Sequence, residues 1–155
     1  MNDMIIRQAV LYDIPRLIEL MQPYVETGVV LARDENDLKT HIRNFRVAVS
    51  NDKVIACVAL RDFGNDLYEI RSLVVDPSWH GSGIGAKMVR NEIELLRQRK
   101  EVWKIFTLTT SPGFFLRQGF KEVDYRFPEK IWSDCEKCPK KDRCDEIALL
   151  VTSED

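Results

Sequence analysis

The run Leu73-Val74-Val75-Asp76-Pro77-Ser78-Trp79-His80-Gly81-Ser82-Gly83-Ile84-Gly85-Ala86 limits what this chain can fold into more than any other stretch. A β-branched segment stops at Asp-Pro, passes through three glycines in five residues, and opens a long amphipathic segment. Strand, glycine loop and helix start together build a cradle for an anion. Gly81, Gly83 and Gly85 let the backbone take left-handed angles and approach a ligand closely. The amides that follow point out of a helix N-terminus, where the helix dipole also favours negative charge. A phosphate-bearing cofactor fits such a cradle, and a glycine turn that merely caps the helix is the plainer alternative.

Spacing narrows the choice of cofactor. Gly81-x-Gly83-x-x-Ala86 formally satisfies the dinucleotide fingerprint, a weak signal by itself. That fold also needs a tight strand-to-helix turn and an acidic residue ending the next strand. Here five residues separate Val75 from Gly81, and the next strand-like run, Val102 to Thr110, ends in threonines. No Gly-Lys-Ser/Thr closes a P-loop either. Dinucleotide and nucleoside triphosphate readings both fail.

Length and composition set the frame. A chain of 155 residues predicts one domain over 1–155 with a full core. Apolar content of 45% and charged content of 31% describe an ordinary globular protein. A net charge of −2 offers no basic face for nucleic acid. No apolar run approaches a membrane span, and Met1-Asn2-Asp3-Met4 opens no signal peptide, so a cytoplasmic location is expected. Disulfides are then not expected.

Elements alternate along the chain. Met4 to Val10 reads as a strand, and Asp13-Ile14-Pro15 starts a helix capped by Asp13. Leu17, Ile18, Leu20, Met21 and Val25 form its buried stripe, and Gly28 ends it. Asp34 to Asn44 reads as a second short helix, with Leu38, Ile42 and Phe45 on one side. Phe45–Ser50 and Val54–Leu60 form a hairpin around Asn51-Asp52-Lys53. Asp66 to Val75 is a strand, and Ile84 to Arg99 is the main helix, burying Ala86, Val89, Ile93 and Leu96. Val102–Thr109 (strand), Pro112–Gln118 (helix) and Gly119–Arg126 (strand) follow, and Ile147–Thr152 closes the sheet. The pattern predicts a mixed α/β domain.

His80-x-x-Gly83-x-Gly85 after an apolar strand resembles the acetyl-coenzyme A signature of the GNAT acyltransferase superfamily, Gln/Arg-x-x-Gly-x-Gly/Ala, with His80 at the Gln/Arg position. Ser111-Pro112-Gly113-Phe114-Phe115-Leu116-Arg117-Gln118-Gly119-Phe120 resembles that superfamily's later motif, an aromatic helix ending in Gly-Phe. The resemblance implies the GNAT fold, whose central sheet is splayed around the acetyl-coenzyme A arm. It implies cofactor contacts at Leu73, Val74, Val75, His80, Gly81, Ser82, Gly83, Ile84, Gly85 and Ala86. For the side chains of the strand residues, ordinary core packing is the alternative, since only their backbones need touch the cofactor. Most members carry a tyrosine four residues before the last glycine as general acid; this chain has Phe115, which donates no proton. Either another group protonates the sulfur, with Tyr68 and Tyr125 unassigned, or the thiolate leaves unaided, which a thiol pKa of about 8.5 makes inexpensive.

The reaction so implied is attack of an amine on a thioester. A base must deprotonate the amine, and a backbone amide near Val74 or Val75 can face the oxyanion. Glu69 occupies a position where superfamily members often carry a catalytic glutamate, and alternation puts Arg71 on its face; a solvated ion pair is the alternative. Gly28 to Arg33, Glu69 to Val75 and Phe127 to Trp132 further resemble the short, single-domain amino-acid acetyltransferases, the N-acetylglutamate synthases of arginine biosynthesis. That resemblance implies L-glutamate as substrate and Arg33 as a carboxylate reader, with Arg71 and Lys130 as further cations. Another amine (a different amino acid, a polyamine or a protein N-terminus) and a non-catalytic acetyl-coenzyme A or metal sensor stay open, although a cationic pocket disfavours a polyamine. A homodimer is compatible with all of these.

Three of the four cysteines, Cys135, Cys138 and Cys144, fall within ten residues of a flap at 128–146. They make an incomplete zinc set that Asp145 or Glu146 would have to complete, or else a packed or redox-labile segment. Cys57 reads as a core thiol.

Overall fold

The computed structural model describes residues 4–28, 30, 33–124 and 146–155. Its strands are β1 (Ile5–Gln8), β2 (Phe45–Ser50), β3 (Lys53–Asp62), β4 (Leu67–Val75), β5 (Lys104–Thr109), β6 (Lys121–Val123) and β7 (Ile147–Thr152). Its helices are α1 (Ile14–Glu26), α2 (Glu35–His41), α3 (Ile84–Arg99) and α4 (Pro112–Arg117). The described strands form one sheet in the order β1-β2-β3-β4-β5-β7-β6. Every pairing is antiparallel except β4 with β5. The mixed α/β expectation holds. β7, which the sequence reads as closing the sheet, is inserted between β5 and β6 and pairs antiparallel with both, so the short β6 takes the edge.

The β2–β3 hairpin turns through Asn51 at φ 51° and Asp52 at φ 62°. Two successive left-handed residues give a type I′ turn, whose twist matches the strands it joins. Asp34 caps α2 by accepting the Asp37 amide at 2.7 Å. Asp13 does not cap α1 in that way. Its carboxylate turns back to Arg7 and to the Val10 amide, both at 2.8 Å, and Pro15 still sits in the first turn. Arg7 therefore holds Asp13 below its ordinary carboxylate pKa.

Apolar residues on the two faces of the sheet pack into separate layers. On one face α3 buries Ile84, Met88, Val89 and Leu96 with Ile55, Ile70 and Ile105. Ala86 and Ile93, expected in that stripe, are only half-buried, and Glu92 takes an inner position instead. On the other face α1 buries Ile14, Leu17, Leu20 and Met21 against Phe45, Val47, Cys57 and Val74. Ile18, expected there, faces outward. Val102 is likewise exposed, and β5 starts at Lys104.

Candidate active site

β4 changes partners along its length. Leu67, Tyr68 and Glu69 pair with Lys104, Ile105 and Phe106 of β5, and beyond Glu69 the pairing stops although both strands continue. At the fork the Thr107 hydroxyl donates to the Ile70 carbonyl at 3.0 Å, in place of the next backbone bond. On its other side β4 stays paired with β3 as far as Val75. Among the described residues, an interior strand thus leaves half of one edge open.

A bulge rephases β4 at the same point. Cys57 and Ala59 of β3 oppose Val74 and Arg71, so β4 carries one residue more than its partner there. The bulge centres on Ser72, at φ 53°, a left-handed angle that side chains other than Asn, Asp and Gly seldom adopt. The extra residue flips the alternation. Tyr68 and Ile70 face the α3 layer before it, and Leu73 and Val75 face that layer after it. Val74 joins the α1 layer.

Glu69 and Arg71 lie on the face opposite Tyr68 and Ile70. Glu69 is 3% exposed, with one carboxylate oxygen 3.2 Å from the Arg71 Nε. An exposed, solvated pair is thereby ruled out for the glutamate. Arg33 reaches the same strand from the segment before α2. Its guanidinium lies over the Phe45 ring, pairs with Asp37 through Nε, and donates from Nη1 to the Ser72 hydroxyl at 3.3 Å. Behind the bulge, burial pushes the Cys57 thiol up to about 12, and its Sγ contacts the Ser72 carbonyl at 3.3 Å. Cys57 is a core thiol, as expected.

The glycine loop follows. Asp76 accepts from the Ser78 amide and hydroxyl, and these bonds, with Arg16 of α1 at 2.7 Å, lower its pKa to about 2. Gly81 and Gly83 stand at φ 81° and 83°. A Cβ on either would meet nothing within 4 Å, so the backbone angle, not space, demands glycine there. At Gly85 a Cβ would already be in van der Waals contact, 3.4 Å from the Phe114 ring and 3.8 Å from Val75, so a side chain larger than alanine would be crowded. Gly83 caps α3, and the first intrahelical bond runs from the Lys87 amide to its carbonyl. The amides of Ile84, Gly85 and Ala86 precede that bond and point out of the helix start. Ser82 is tied by amide and hydroxyl to the Trp79 carbonyl.

Leu73, Val74, Val75 and the loop from His80 to Ala86 thus form one continuous track beside the open edge of β4. Glu69, Arg71 and Arg33 sit where that track meets the fork. Phe115 is buried edge-on between Phe114 and Phe120, and Tyr68 is core. Lys130, Tyr125, Cys135, Cys138 and Cys144 lie outside the described residues, and with them most of the 128–146 flap. Among the described residues no group of three or more His, Cys, Asp or Glu is placed to hold a metal ion. No helix among them is long and apolar enough to cross a membrane. Thr107, with Leu108 and Thr109, lies on the β5 side of the fork, where the resemblance places the lining of the gap, whereas Ser72, Arg16 and Tyr24 are residues of this region that the sequence does not single out.

Residues 41–122 match the family model described as the Acetyltransferase (GNAT) domain. Over 151 residues, 97% of each chain, the protein is 38% identical to an uncharacterized N-acetyltransferase of Chlorobaculum tepidum. It is 32% identical to the amino-acid acetyltransferase of Mycobacterium tuberculosis over 123 residues, 77% of this chain and 70% of that one. Among solved structures, N-acetylglutamate synthase from Neisseria gonorrhoeae, complexed with coenzyme A and N-acetyl-glutamate, superposes with a TM-score of 0.80 at 25% identity. That match covers 96% of this chain and 35% of the other.

Proposed function

The chain belongs to the GNAT acetyltransferase family, and from that premise we propose that it moves acetyl from acetyl-coenzyme A to the α-amine of L-glutamate. The single observation that carries the reading is that β4 holds the buried Glu69 beside Arg71 and, three residues on at the bulge, the Ser72 hydroxyl that Arg33 reaches. A buried carboxylate beside a guanidinium suits a substrate that presents an ammonium and a carboxylate together.

In this reading the pantetheine arm runs along the open edge of β4 and pairs with the backbone of Leu73 and Val75. The diphosphate rests on the amides of Ile84, Gly85 and Ala86, which Gly81 and Gly83 leave uncovered. Arg33 holds a substrate carboxylate. Its present bond to the Ser72 hydroxyl is long, and a carboxylate replaces it with a stronger, charge-assisted one. Arg71 orients Glu69 and supplies a second positive charge. Glu69 removes a proton from the ammonium, the freed amine attacks the thioester carbon, the carbon–sulfur bond breaks as the tetrahedral intermediate collapses, and the attacking nitrogen gives its second proton to solvent. Phe115 offers no proton, so the sulfur leaves as thiolate and is protonated by solvent, at little cost for a thiol.

Other members of this reaction class acetylate other amines, and a sensor without turnover is the rival from outside it. A panel of amino acids and peptide N-termini with acetyl-coenzyme A, read by free thiol release, separates them. The expected result is release with L-glutamate, and a rise of about 10- to 100-fold in glutamate KM for Arg33→Ala, the scale of one charged hydrogen bond. Release with another amine and none with glutamate overturns the substrate assignment. Tight acetyl-coenzyme A binding without release from any amine overturns the enzymatic one.

A further inference from the structure

Helix α1 grips the far end of β4 at two neighbouring points. Arg16 pairs with Asp76 at 2.7 Å, and eight residues on, Tyr24 donates its hydroxyl proton to the Val75 carbonyl. The direction of that carbonyl follows from the ladder. Val75 faces Ala56 of β3, and the next bond runs from the Asp76 amide to the Ile55 carbonyl at 2.8 Å. Val75 therefore belongs to a non-hydrogen-bonded pair, whose peptide groups point away from the partner strand. Its N–H and C=O face the open edge, where β5 has separated. This is the last strand residue before the loop, and nothing in the ladder fixes its outward carbonyl.

We propose that Tyr24 is a positioning residue for the cofactor, holding the Val75 carbonyl at the angle from which it accepts the pantetheine amide of acetyl-coenzyme A. The inference rests on the acetyl-coenzyme A reading above and adds a residue from the opposite layer of the fold. A carbonyl oxygen offers two lone pairs. Tyr24 occupies one. Nearest the other is the His80 Nε2, at 3.2 Å, an exposed side chain that turns aside as the amide arrives. His80 also contacts the Tyr24 hydroxyl, so the tyrosine joins the strand end to the first residue of the loop signature. Burial, and then the charge of Asp76, raise the Tyr24 pKa, which keeps its hydroxyl a proton donor throughout the neutral range. Without the hydroxyl the strand end is free to rock about its bonds to β3, and the cofactor itself must then restrain it.

A hydroxyl that only packs would change stability and leave the kinetics alone. The experiment is steady-state kinetics of Tyr24→Phe against wild type, with acetyl-coenzyme A and with S-acetylpantetheine, which carries no phosphate. Thermal midpoints are measured on the same samples. The expected outcome is a rise of about fivefold in acetyl-coenzyme A KM, the scale of one neutral hydrogen bond, with kcat and the amine KM within about twofold of wild type. The kcat/KM for S-acetylpantetheine falls by the same factor, because the contact is to the arm and not to the phosphates. An unchanged acetyl-coenzyme A KM overturns the proposal. So does a lowered one, which would make the hydroxyl an obstacle, or a loss seen with acetyl-coenzyme A but not with S-acetylpantetheine, which would place the effect in the glycine loop. Wild-type turnover in the same assay tests the underlying reading separately, and its absence overturns both.

Discussion

The two halves of β4 obey different rules. From Leu67 to Glu69 the strand is bonded to β3 and to β5, and its side chains are all buried. From Ser72 to Val75 it has β3 alone, carries a left-handed serine, and leaves peptide groups facing an open edge inside the sheet. Unpaired strand edges are a liability that proteins usually cover. Here side chains from three elements attend the open half: Thr107 of β5 at the fork, Arg33 at the bulge, and Tyr24 of α1 at the far end. The lower half is specified by burial and ladder pairing. The upper half is kept available, and single side-chain bonds do the work that a neighbouring strand does elsewhere. In the proposed reading, folding depends on the first half and cofactor capture on the second, so mutations in the two should separate.

The largest separation is expected at their boundary. Glu69 is buried at the last register shared with β5, yet its proposed role belongs to the open half. Glu69→Gln keeps the shape and removes the base. It should lower kcat by about 10²- to 10⁴-fold, the range for loss of a general base, and leave acetyl-coenzyme A binding intact. A kcat within a factor of about three of wild type, with the fold confirmed by circular dichroism, would show that Glu69 is a structural charge and that the fork has no chemistry of its own.

Glu92 of α3 supplies the matching control, a second buried glutamate beside an arginine but away from the fork. It lies 3.1 Å from the Arg46 Nε without hydrogen-bond geometry, and burial raises its pKa from 4.5 to about 7, against the opposing pull of Arg46. A carboxylate whose pKa is higher folded than unfolded favours the folded state only when protonated. Its contribution is complete below about pH 4.5 and is lost as pH rises through about 7. Folding stability should therefore fall by about 3 kcal/mol between those limits on account of this group. Glu92→Gln should flatten the profile and raise stability at about pH 8. Urea titrations across pH measure it, and an unchanged slope for Glu92→Gln refutes the assignment. Catalysis should be unaffected, the reverse of Glu69→Gln.

Local signals explain what the sequence made legible here. α3 spans Ile84–Arg99 as its periodicity predicts, and the glycine loop sits where the left-handed angles require it. Asn51-Asp52 announces its own turn. The bulge announces nothing, because a serine inside a β-branched run carries no turn signal and only the register with β3 creates the kink. No sequence signal sets Tyr24 apart within α1. Its contact with the Val75 carbonyl comes from where α1 crosses β4, which no window of neighbouring residues encodes. Arg33 and Glu69 are legible by resemblance, whereas the bond from Arg33 to Ser72 and the pairing of Glu69 with Arg71 on the same strand are tertiary facts. β7 is legible as a strand but its place between β5 and β6 is not, since side-chain pattern fixes a strand's faces and not its neighbours.

The contrast between the halves can be pressed with a pair of small apolar changes. Ile70→Val trims a buried methyl just below the bulge, in the layer under α3. It should cost about 1 kcal/mol of stability and leave the acetyl-coenzyme A KM unchanged. Gly85→Val adds branched carbon where even a Cβ lies 3.4 Å from the Phe114 ring and 3.8 Å from Val75. Overpacking of that kind costs about 1–3 kcal/mol, and the strain falls on the open end of β4 and on the first amides of α3. Part of it is relieved by displacing Phe114, and the remainder falls on Val75 and the backbone around residue 85. The acetyl-coenzyme A KM should therefore rise several-fold beyond any change in thermal midpoint, while the glutamate KM stays put. If Ile70→Val raises the cofactor KM as much as Gly85→Val does, the two halves of β4 are one mechanical unit, and the open edge is held by the packing below it and not by the side chains gathered around it.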